Sequence, residues 1–318
     1  MSTIMQGVHI VLSMMIMMGV GYVLTGNHWF DEEFTNTIVK VILNISMPLM
    51  MLNTITSNFE KSSFLSMVKA AIIPFIAIII CYWVSILFSN MLKINSDSKG
   101  LYRTLFFNSN SIFMGLPINI ALLGEVCVPY VLLYYIANTT CFWTLGISEI
   151  SKDGAKRFGR RVEPIFSKDG FKKILSPSLF GYIAGIILVL LGIKLPLFLQ
   201  DSSKSLGGLT TPLSMIFIGC ILYKIKFSDV KLDKFNVSIL IGRFIISPGI
   251  MLILTRIIPI PQMMRTVFVI QSAMPTMTSS AIVAKSYGSD EKKAVVSIGL
   301  TTVMFLIALP FYIWLLNM

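Results

Sequence analysis

The stretch IIPFIAIIICYWVSIL, residues 72–87, carries no charged side chain, and it decides the class of this protein. It forms most of an apolar segment, residues 67–91, that is long enough to cross a bilayer as a helix. The composition agrees, since 55% of the 318 residues are hydrophobic and 13% are charged, against about 45–50% and about 25% in a typical soluble domain. The sequence therefore predicts a membrane protein and excludes a disordered chain, a coiled coil and a disulfide-stapled secreted fold.

Ten segments of this kind predict an all-α membrane protein with ten transmembrane helices. Each contains about 18–25 residues, which at about 1.5 Å per residue is enough to cross about 30 Å of hydrocarbon. The fourth and ninth segments are the weakest, because polar residues and proline interrupt them. The predicted spans are residues 4–24, 35–56, 67–91, 102–122, 128–147, 178–195, 206–223, 236–257, 264–285 and 293–316.

The basic residues lie mostly between these segments. A net charge of +11 in a soluble protein would suggest a nucleic-acid partner. Here the positive-inside rule explains the charge, because the loops on one side carry roughly three times as many Lys and Arg residues as those on the other. We therefore expect the lipid bilayer, and no nucleic acid, as a partner. The basic side is cytoplasmic, which places both termini on the extracellular side of a plasma membrane.

The longest predicted loop, residues 148–177, separates a first unit, residues 1–147, from a second, residues 178–318. It is rich in Lys and Arg, and its densest point is the pair Arg160-Arg161. We interpret it as a basic cytoplasmic loop that fixes the topology. A binding site for anionic lipid head groups is the alternative.

No catalytic or metal-binding pattern is present in the sequence. The four cysteines form no CxxC pair and are expected to be buried free thiols. The two histidines are far apart, and HExxH, GxSxG and P-loop motifs are absent. We therefore predict that the protein is not an enzyme and needs neither a cofactor nor a metal ion.

The two five-span units resemble each other, motif by motif and in the same order. An odd number of spans makes tandem copies enter the membrane from opposite sides, so the sequence predicts an inverted repeat, which is typical of secondary transporters. The matching pairs include Met47-Pro48-Leu49 with Thr211-Pro212-Leu213, Arg103-Thr104-Leu105-Phe106 with Arg265-Thr266-Val267-Phe268, and Thr139-Thr140 with Thr301-Thr302.

The most polar span interiors occur at matching positions in the two units. Span four contains Asn108-Ser109-Asn110-Ser111 and then Pro117, whereas span nine contains Gln271-Ser272 and then Pro275-Thr276. Asn and Ser weaken a helix and Pro interrupts it, so both spans are predicted to break and to cross near mid-membrane. The alternative is that these polar side chains only join neighbouring helices.

A broken helix exposes a new N-terminus, whose N–H groups and dipole attract an anion. Two such ends at one crossing point would bind a carboxylate without a cationic side chain, and the amide of Asn110 would donate a further hydrogen bond. The predicted substrate-binding residues are Ser109, Asn110, Ser111, Asn138, Gln271, Ser272, Pro275 and Thr276.

All fifteen Asp and Glu residues fall in loops or near span ends, which argues against a proton antiporter built on a buried carboxylate pair. Three charged residues remain candidates for a coupling or charge role. Lys69 lies at the start of span three, where snorkelling to the membrane surface is the alternative. Arg243 lies inside span eight, where a charge is costly, and Glu149 follows span five.

The segments NSNSIFMGLPINIALLGE, residues 108–125, and AMPTMTSSAIVAKSYG, residues 273–288, resemble signatures of the auxin efflux carrier family. The likeness extends over essentially the whole chain. It implies a fold similar to NhaA-type antiporters and bile-acid symporters, in which spans 1, 2, 6 and 7 form a scaffold and spans 3–5 and 8–10 form a transport unit. It also implies a homodimer.

Members of this family move organic anions, so the resemblance implies a small organic carboxylate as the substrate. Asn110 matches the family asparagine that meets the carboxylate, and Pro275 matches the crossover proline. Two positions depart from the plant members, which have proline where this chain has Ser109 and aspartate where it has Leu65. A coupling role of Lys69 with that aspartate is therefore not implied here.

We predict a secondary transporter that exports a small organic carboxylate by elevator-type alternating access. Export is favoured because a membrane potential that is negative inside drives an anion out of the cell. A sodium- or proton-coupled importer of the same fold is one alternative, and a channel or sensor derived from that fold is another.

Overall fold

The computed structural model describes residues 3–58, 70–159, 162, 164, 177–224 and 232–315. Over these residues the chain is helical and contains no strand element, so the predicted all-α fold is confirmed for the described ranges. In these ranges four five-residue π-helical turns adjoin α-helices, and this widened form is frequent at functional sites. These turns are Ile42–Ser46, Ser111–Gly115, Phe142–Gly146 and Gly242–Ile246.

The α-helices are numbered in chain order over the described residues. They are α1 Thr3–Gly26, α2 Glu32–Val41, α3 Met47–Asn58, α4 Ile72–Met91, α5 Lys99–Phe107, α6 Leu116–Leu123, α7 Val128–Cys141, α8 Ile147–Phe158, α9 Pro177–Leu191, α10 Leu197–Gly207, α11 Thr210–Tyr223, α12 Lys234–Ile241, α13 Ser247–Ile257, α14 Gln262–Ser272, α15 Ser279–Tyr287 and α16 Glu291–Leu315.

Six helical segments in the described part of the chain are long and apolar enough to cross a membrane, which confirms a multi-pass membrane protein. They coincide with predicted spans two, three, five, seven, eight and ten. Predicted spans one, four and six contain shorter apolar helices, and span nine is divided between α14 and α15. The six segments are Glu32–Ser57, Ile72–Met91, Glu125–Phe158, Leu197–Tyr223, Lys234–Ile257 and Glu291–Tyr312.

Two helices lie largely outside the ten predicted spans. α10 precedes most of span seven, and α8 occupies the first part of the predicted loop 148–177. The first part of the predicted loop is thus helical, and one face of α8 packs into the protein, where Glu149 is 2% and Asp153 is 1% exposed. Ile147, Ile150 and Gly154 are buried and follow the i, i+3, i+7 spacing of an amphipathic helix. The pair Arg160-Arg161 lies outside the described residues.

One group of helices is joined by direct backbone contact. Where α1 crosses α11, a Cβ atom on Gly21 would lie 2.1 Å from the carbonyl oxygen of Ile216. Where α9 crosses α3, a Cβ atom on Gly181 would lie 2.2 Å from the carbonyl oxygen of Pro48. Only glycine allows backbones to approach so closely. These contacts, with α10 packed on α3, join the helices of predicted spans 1, 2, 6 and 7.

The second group consists of α4, α5, α7, α8 and α12 to α16. Asp153 joins three of its helices, because its carboxylate accepts hydrogen bonds from the N–H groups of Gly100 at 2.7 Å and Leu101 at 2.8 Å in α5. The same carboxylate accepts a hydrogen bond from the hydroxyl of Ser289, just before α16, at 2.8 Å. Contacts of α1 with α16 and of α3 with α7 connect the two groups.

Candidate functional site

Span four is interrupted where its sequence turns polar. α5 ends at Phe107, and Asn108 continues with extended backbone, at φ −97° and ψ 137°. A helix resumes at Ser111, where the side-chain oxygen of Asn110 accepts a hydrogen bond from the N–H of Phe113 at 3.2 Å. Asn110 is therefore the N-cap of the second half of this span.

Span nine is interrupted in the same way by six residues, 273–278, between α14 and α15. The two interruptions meet, because the backbone N–H of Asn110 donates to the carbonyl oxygen of Pro275 at 2.8 Å. Next to this bond, Ser109 and Thr276 form an isolated antiparallel bridge. The breaks and the crossing that the sequence predicts are therefore present, and we call residues 108–111 and 273–278 the crossover.

Asn138 on α7 holds the first extended segment of the crossover, residues 108–111. Its side-chain oxygen accepts from the N–H of Ser109 at 3.0 Å, and its amide nitrogen donates to the carbonyl oxygen of Ser109 at 2.8 Å. The amide thus binds an extended backbone as a neighbouring strand would. A longer bond of 3.3 Å reaches the hydroxyl of Ser111. The polar atoms of Asn138 are consequently used within the protein.

Thr301 on α16 holds the second segment of the crossover, residues 273–278. Its hydroxyl accepts from the N–H of Thr276 at 3.3 Å and lies 3.1 Å from the hydroxyl of that residue. Gln271, at the end of α14, donates from its amide to the carbonyl oxygen of Ser111 at 3.2 Å. It packs so closely on Gly115 that a Cβ atom there would lie 2.2 Å from the Gln271 side-chain oxygen.

Arg243 is fully buried beside the crossover. Its guanidinium donates to the carbonyl oxygen of Met274 from Nε at 3.0 Å and from Nη2 at 2.8 Å. It also donates to the carbonyl oxygens of Ser272 at 2.7 Å and Phe106 at 3.2 Å. Arg243 therefore binds backbone at the ends of α5 and α14 and connects the two broken spans.

A cavity of about 190 Å³ lies against the crossover. Asn110 and Thr139 line it, and both are nearly completely buried, with 2% and 3% of their surface exposed. The amide nitrogen of Asn110 and the hydroxyl of Thr139 have no hydrogen-bond partner. Buried polar atoms are rarely left unpaired in proteins, so these two atoms require a ligand or water.

The remaining wall of this cavity is largely apolar and uncharged. The first turns of the helices that begin at Ser111 and Ser279 reach it, which places two helix N-termini at its polar end. None of the described residues that line it is Lys, Arg, Asp or Glu. Such a site would bind an anion through N–H groups and helix dipoles. The apolar side chains are Leu43, Ile112, Phe113, Tyr135, Trp143 and Met277.

A second cavity, of about 370 Å³, lies nearer to the start of α7. It is lined by α1, α3 and α6 and by the end of α10, and Asn53, Glu125 and Lys204 are among its polar residues. Pro117, which follows the interruption of span four, also lines it. The smaller cavity is therefore lined by the start of the helix that resumes at Ser111, and the larger cavity by residues further along the same helix.

Glu149 lies in an ion cluster away from both cavities. Its carboxylate accepts from Arg103 at 2.8 Å and from the hydroxyl of Tyr82 at 3.0 Å, and it pairs with Lys152. This cluster gives the buried carboxylate its counter-charges inside the protein. Lys69, the other candidate for coupling, lies outside the described residues.

Seven of the eight predicted binding residues lie in the crossover or hold it, whereas Ser272 ends α14 and its hydroxyl donates to Val269 within that helix. Only Ser109, Asn110 and Ser111 line the smaller cavity. Sequence reasoning did not assign Thr139 or Thr301 to the site. Their signal is the repeated pair of threonines in spans five and ten.

Over the described residues no cluster suited to a metal ion occurs. The four cysteines are buried and free, as predicted.

Membrane-crossing helices, with two interrupted helices that meet beside a cavity, are the features of a membrane transporter. The sequence pattern of the membrane transport protein family matches residues 6–313. The chain therefore belongs to this family, which is that of the auxin efflux carriers, and the resemblance seen in the sequence is confirmed. The protein is a multi-pass membrane transporter of that family.

Two archaeal proteins are similar to the chain over nearly their full length. An uncharacterized transporter of Methanocaldococcus jannaschii is 27% identical over 318 residues, which cover 96% of this chain and 98% of the relative. An uncharacterized transporter of Methanothermobacter thermautotrophicus is 22% identical over 309 residues, which cover 95% and 96%. Family membership makes a transporter, and not an enzyme, the consistent class.

Proposed function

We propose that this protein is a secondary transporter that exports a small organic carboxylate across the plasma membrane by elevator-type alternating access. One observation carries the proposal. Asn110 lines the cavity at which two helices begin, and its buried amide nitrogen has no hydrogen-bond partner.

Recognition of the carboxylate would use fixed dipoles and no cationic side chain. The amide of Asn110 and the hydroxyl of Thr139 would donate hydrogen bonds to the carboxylate oxygens. The N-termini at Ser111 and Ser279 would add favourable potential. The apolar part of the same cavity would accept the remainder of the molecule, as is usual in small-molecule sites.

An inverted repeat of two five-helix units is part of the proposal. In such a repeat, the contact of span one with span seven is equivalent to that of span six with span two. Both contacts are made here by glycine against backbone, at Gly21 in the first case and at Gly181 in the second. The correspondence supports the repeat, and it gives spans 1, 2, 6 and 7 the rigidity that a scaffold needs.

The moving unit would be the second group of helices, which carries the crossover. Hydrogen bonds of Asn138, Thr301 and Arg243 tie the crossover to α7, α16 and span eight, all in that group. The smaller and larger cavities would then be parts of the routes toward opposite sides of the membrane.

Export follows from the charge of the substrate, because a membrane potential that is negative inside drives an anion outward. A potential of about 100 mV, negative inside, contributes about 2.3 kcal/mol to the exit of one negative charge. Because no described residue lining the smaller cavity is acidic, the proposal requires no coupling cation at that site.

The test is binding of carboxylates to purified protein, followed by thermal unfolding in detergent. The panel is acetate, lactate, benzoate and phenylacetate. We expect at least one of them to stabilise the wild type and the Asn110→Ala variant to lose that effect. Asn90→Ala, at an exposed position at the end of α4, is the matched control and should respond as the wild type does. Equal stabilisation of Asn110→Ala would contradict the proposal.

A further inference from the structure

We propose that Arg243 is the fixed counter-charge of the crossover. By neutralising the two helix ends that carry negative partial charge, it leaves the two positive helix ends free to select an anion. This inference rests on the proposed function. It makes Arg243 a positioning residue, which acts on the substrate through the potential of the crossover and does not contact it.

The first observation is the identity of the groups that the guanidinium binds. Its hydrogen bonds of 2.7–3.2 Å go to the carbonyl oxygens of Phe106, Ser272 and Met274. Phe106 lies in the last turn of α5, Ser272 is the last residue of α14, and Met274 follows it closely. The last carbonyl groups of a helix form the negative end of its dipole. Arg243 therefore joins two such ends.

The second observation is the lack of a carboxylate at this charge. None of the ion pairs found among the described residues includes Arg243. The titratable side chains that face it are Cys81, Tyr134 and Tyr312, groups that are ordinarily uncharged at neutral pH. A fully buried cation is costly unless other groups compensate it. The two helix C-termini are the compensation that the described residues provide.

The charges at the crossover can be summed from these contacts. Each helix end carries roughly half an elementary charge. The C-termini of α5 and α14 together contribute about −1, and the guanidinium of Arg243 offsets it. The N-termini at Ser111 and Ser279 together contribute about +1 beside the cavity. A single carboxylate would complete this balance.

The same sum predicts what happens when the arginine charge is removed. The four helix ends would then add to about zero, and the cavity would prefer an anion to a neutral molecule of the same shape less strongly. The quantity to measure is therefore a ratio of two affinities, that of a carboxylate and that of its primary amide. A residue that only stabilises the fold would change both affinities together.

The experiment compares wild type, Arg243→Gln and Arg243→Lys as purified full-length protein. Each is titrated with acetate, lactate, benzoate and phenylacetate, and with acetamide, lactamide, benzamide and phenylacetamide. The wild type should prefer the carboxylate. Arg243→Gln should lower this preference roughly fifteenfold, the effect of a unit charge about 10 Å away at an effective dielectric constant of about 20. Arg243→Lys keeps the charge and should keep most of the preference.

Three results would count against the inference. A wild type that binds none of these carboxylates, or binds the amides as well, contradicts the proposed function and the inference with it. In the second result, Arg243→Gln keeps the wild-type preference, with the affinities for the carboxylate and for its amide lowered equally. That result would overturn the role of Arg243 and leave the proposed function standing. If Arg243→Gln does not fold, the Arg243→Lys variant is the test. Loss of the carboxylate preference in Arg243→Lys, which keeps the charge, would overturn the inference. Retention of that preference would support it.

Discussion

The N–H of Asn110 donates a hydrogen bond of 2.8 Å to the carbonyl oxygen of Pro275, which joins the interruption of one span to the interruption of another. Extended backbone deep in a membrane protein needs such partners, because little water is available there to satisfy it. Each interruption is thus stabilised by the other. Side chains from α7 and α16 complete the hydrogen bonds on both sides.

Replacing Asn138 by alanine should destabilise the protein by about 1–3 kcal/mol. The reason is that the N–H and carbonyl groups of Ser109 would lose the partners that Asn138 supplies, in a place where both are buried. Thermal unfolding in detergent measures the effect. Unfolding of Asn138→Ala at the wild-type temperature would show that the crossover does not depend on this amide.

The adjacent residue, Thr139, should respond in the opposite way. Its buried hydroxyl has no partner, so Thr139→Ala should leave the stability of the ligand-free protein unchanged or raise it by up to about 1 kcal/mol. Binding of the carboxylate should weaken, because the hydroxyl is a proposed donor. The two effects are read from unfolding without ligand and from titration. If Thr139→Ala lowers the stability and leaves carboxylate binding unchanged, Thr139 stabilises the fold and does not bind the substrate.

Two glycines of α1 provide a matched test of the scaffold. Gly21→Ala should cost about 1–3 kcal/mol, because its Cβ atom would overlap the backbone of Ile216. Gly19→Ala, two residues earlier in the same helix, meets nothing within 4 Å and should be neutral or stabilising by up to about 1 kcal/mol. Melting temperatures of the two variants check the difference. Similar values for both would mean that this helix crossing is not tight.

Transport should follow the membrane potential and should not depend on sodium. In proteoliposomes a potential of about 100 mV should sustain about a fiftyfold concentration ratio of a monovalent carboxylate, since about 2.3 kcal/mol corresponds to that ratio. The measurement uses a potassium diffusion potential, with and without a sodium gradient. Flux that requires sodium would favour the coupled importer in place of the proposed exporter.

The interruptions could be predicted from the sequence because their chemistry is local. Asn108 to Ser111 and the segment around Pro275 contain residues that compete with helical hydrogen bonds or cannot form them. The pairing of Asn110 with Pro275 needs the additional hypothesis of an inverted repeat, which would place equivalent segments at equivalent depth.

The roles of several charged residues could not be predicted in this way. Arg243 is recognisable as a costly charge, but its partners are carbonyl groups of α5 and α14, and no side-chain pattern identifies a backbone acceptor. α8 looks like a basic loop in sequence because its charges are frequent. Its two acidic residues, Glu149 and Asp153, are buried only because α5 and α15 pack against that helix.

The most direct test of the central claim is an electron cryomicroscopy map of the protein with the best-binding carboxylate of the panel. We predict density for the carboxylate group within hydrogen-bonding distance of the amide nitrogen of Asn110, with its remainder among the apolar side chains of the smaller cavity. Density in the larger cavity near Asn53 and Lys204, with the smaller cavity empty, would contradict the account.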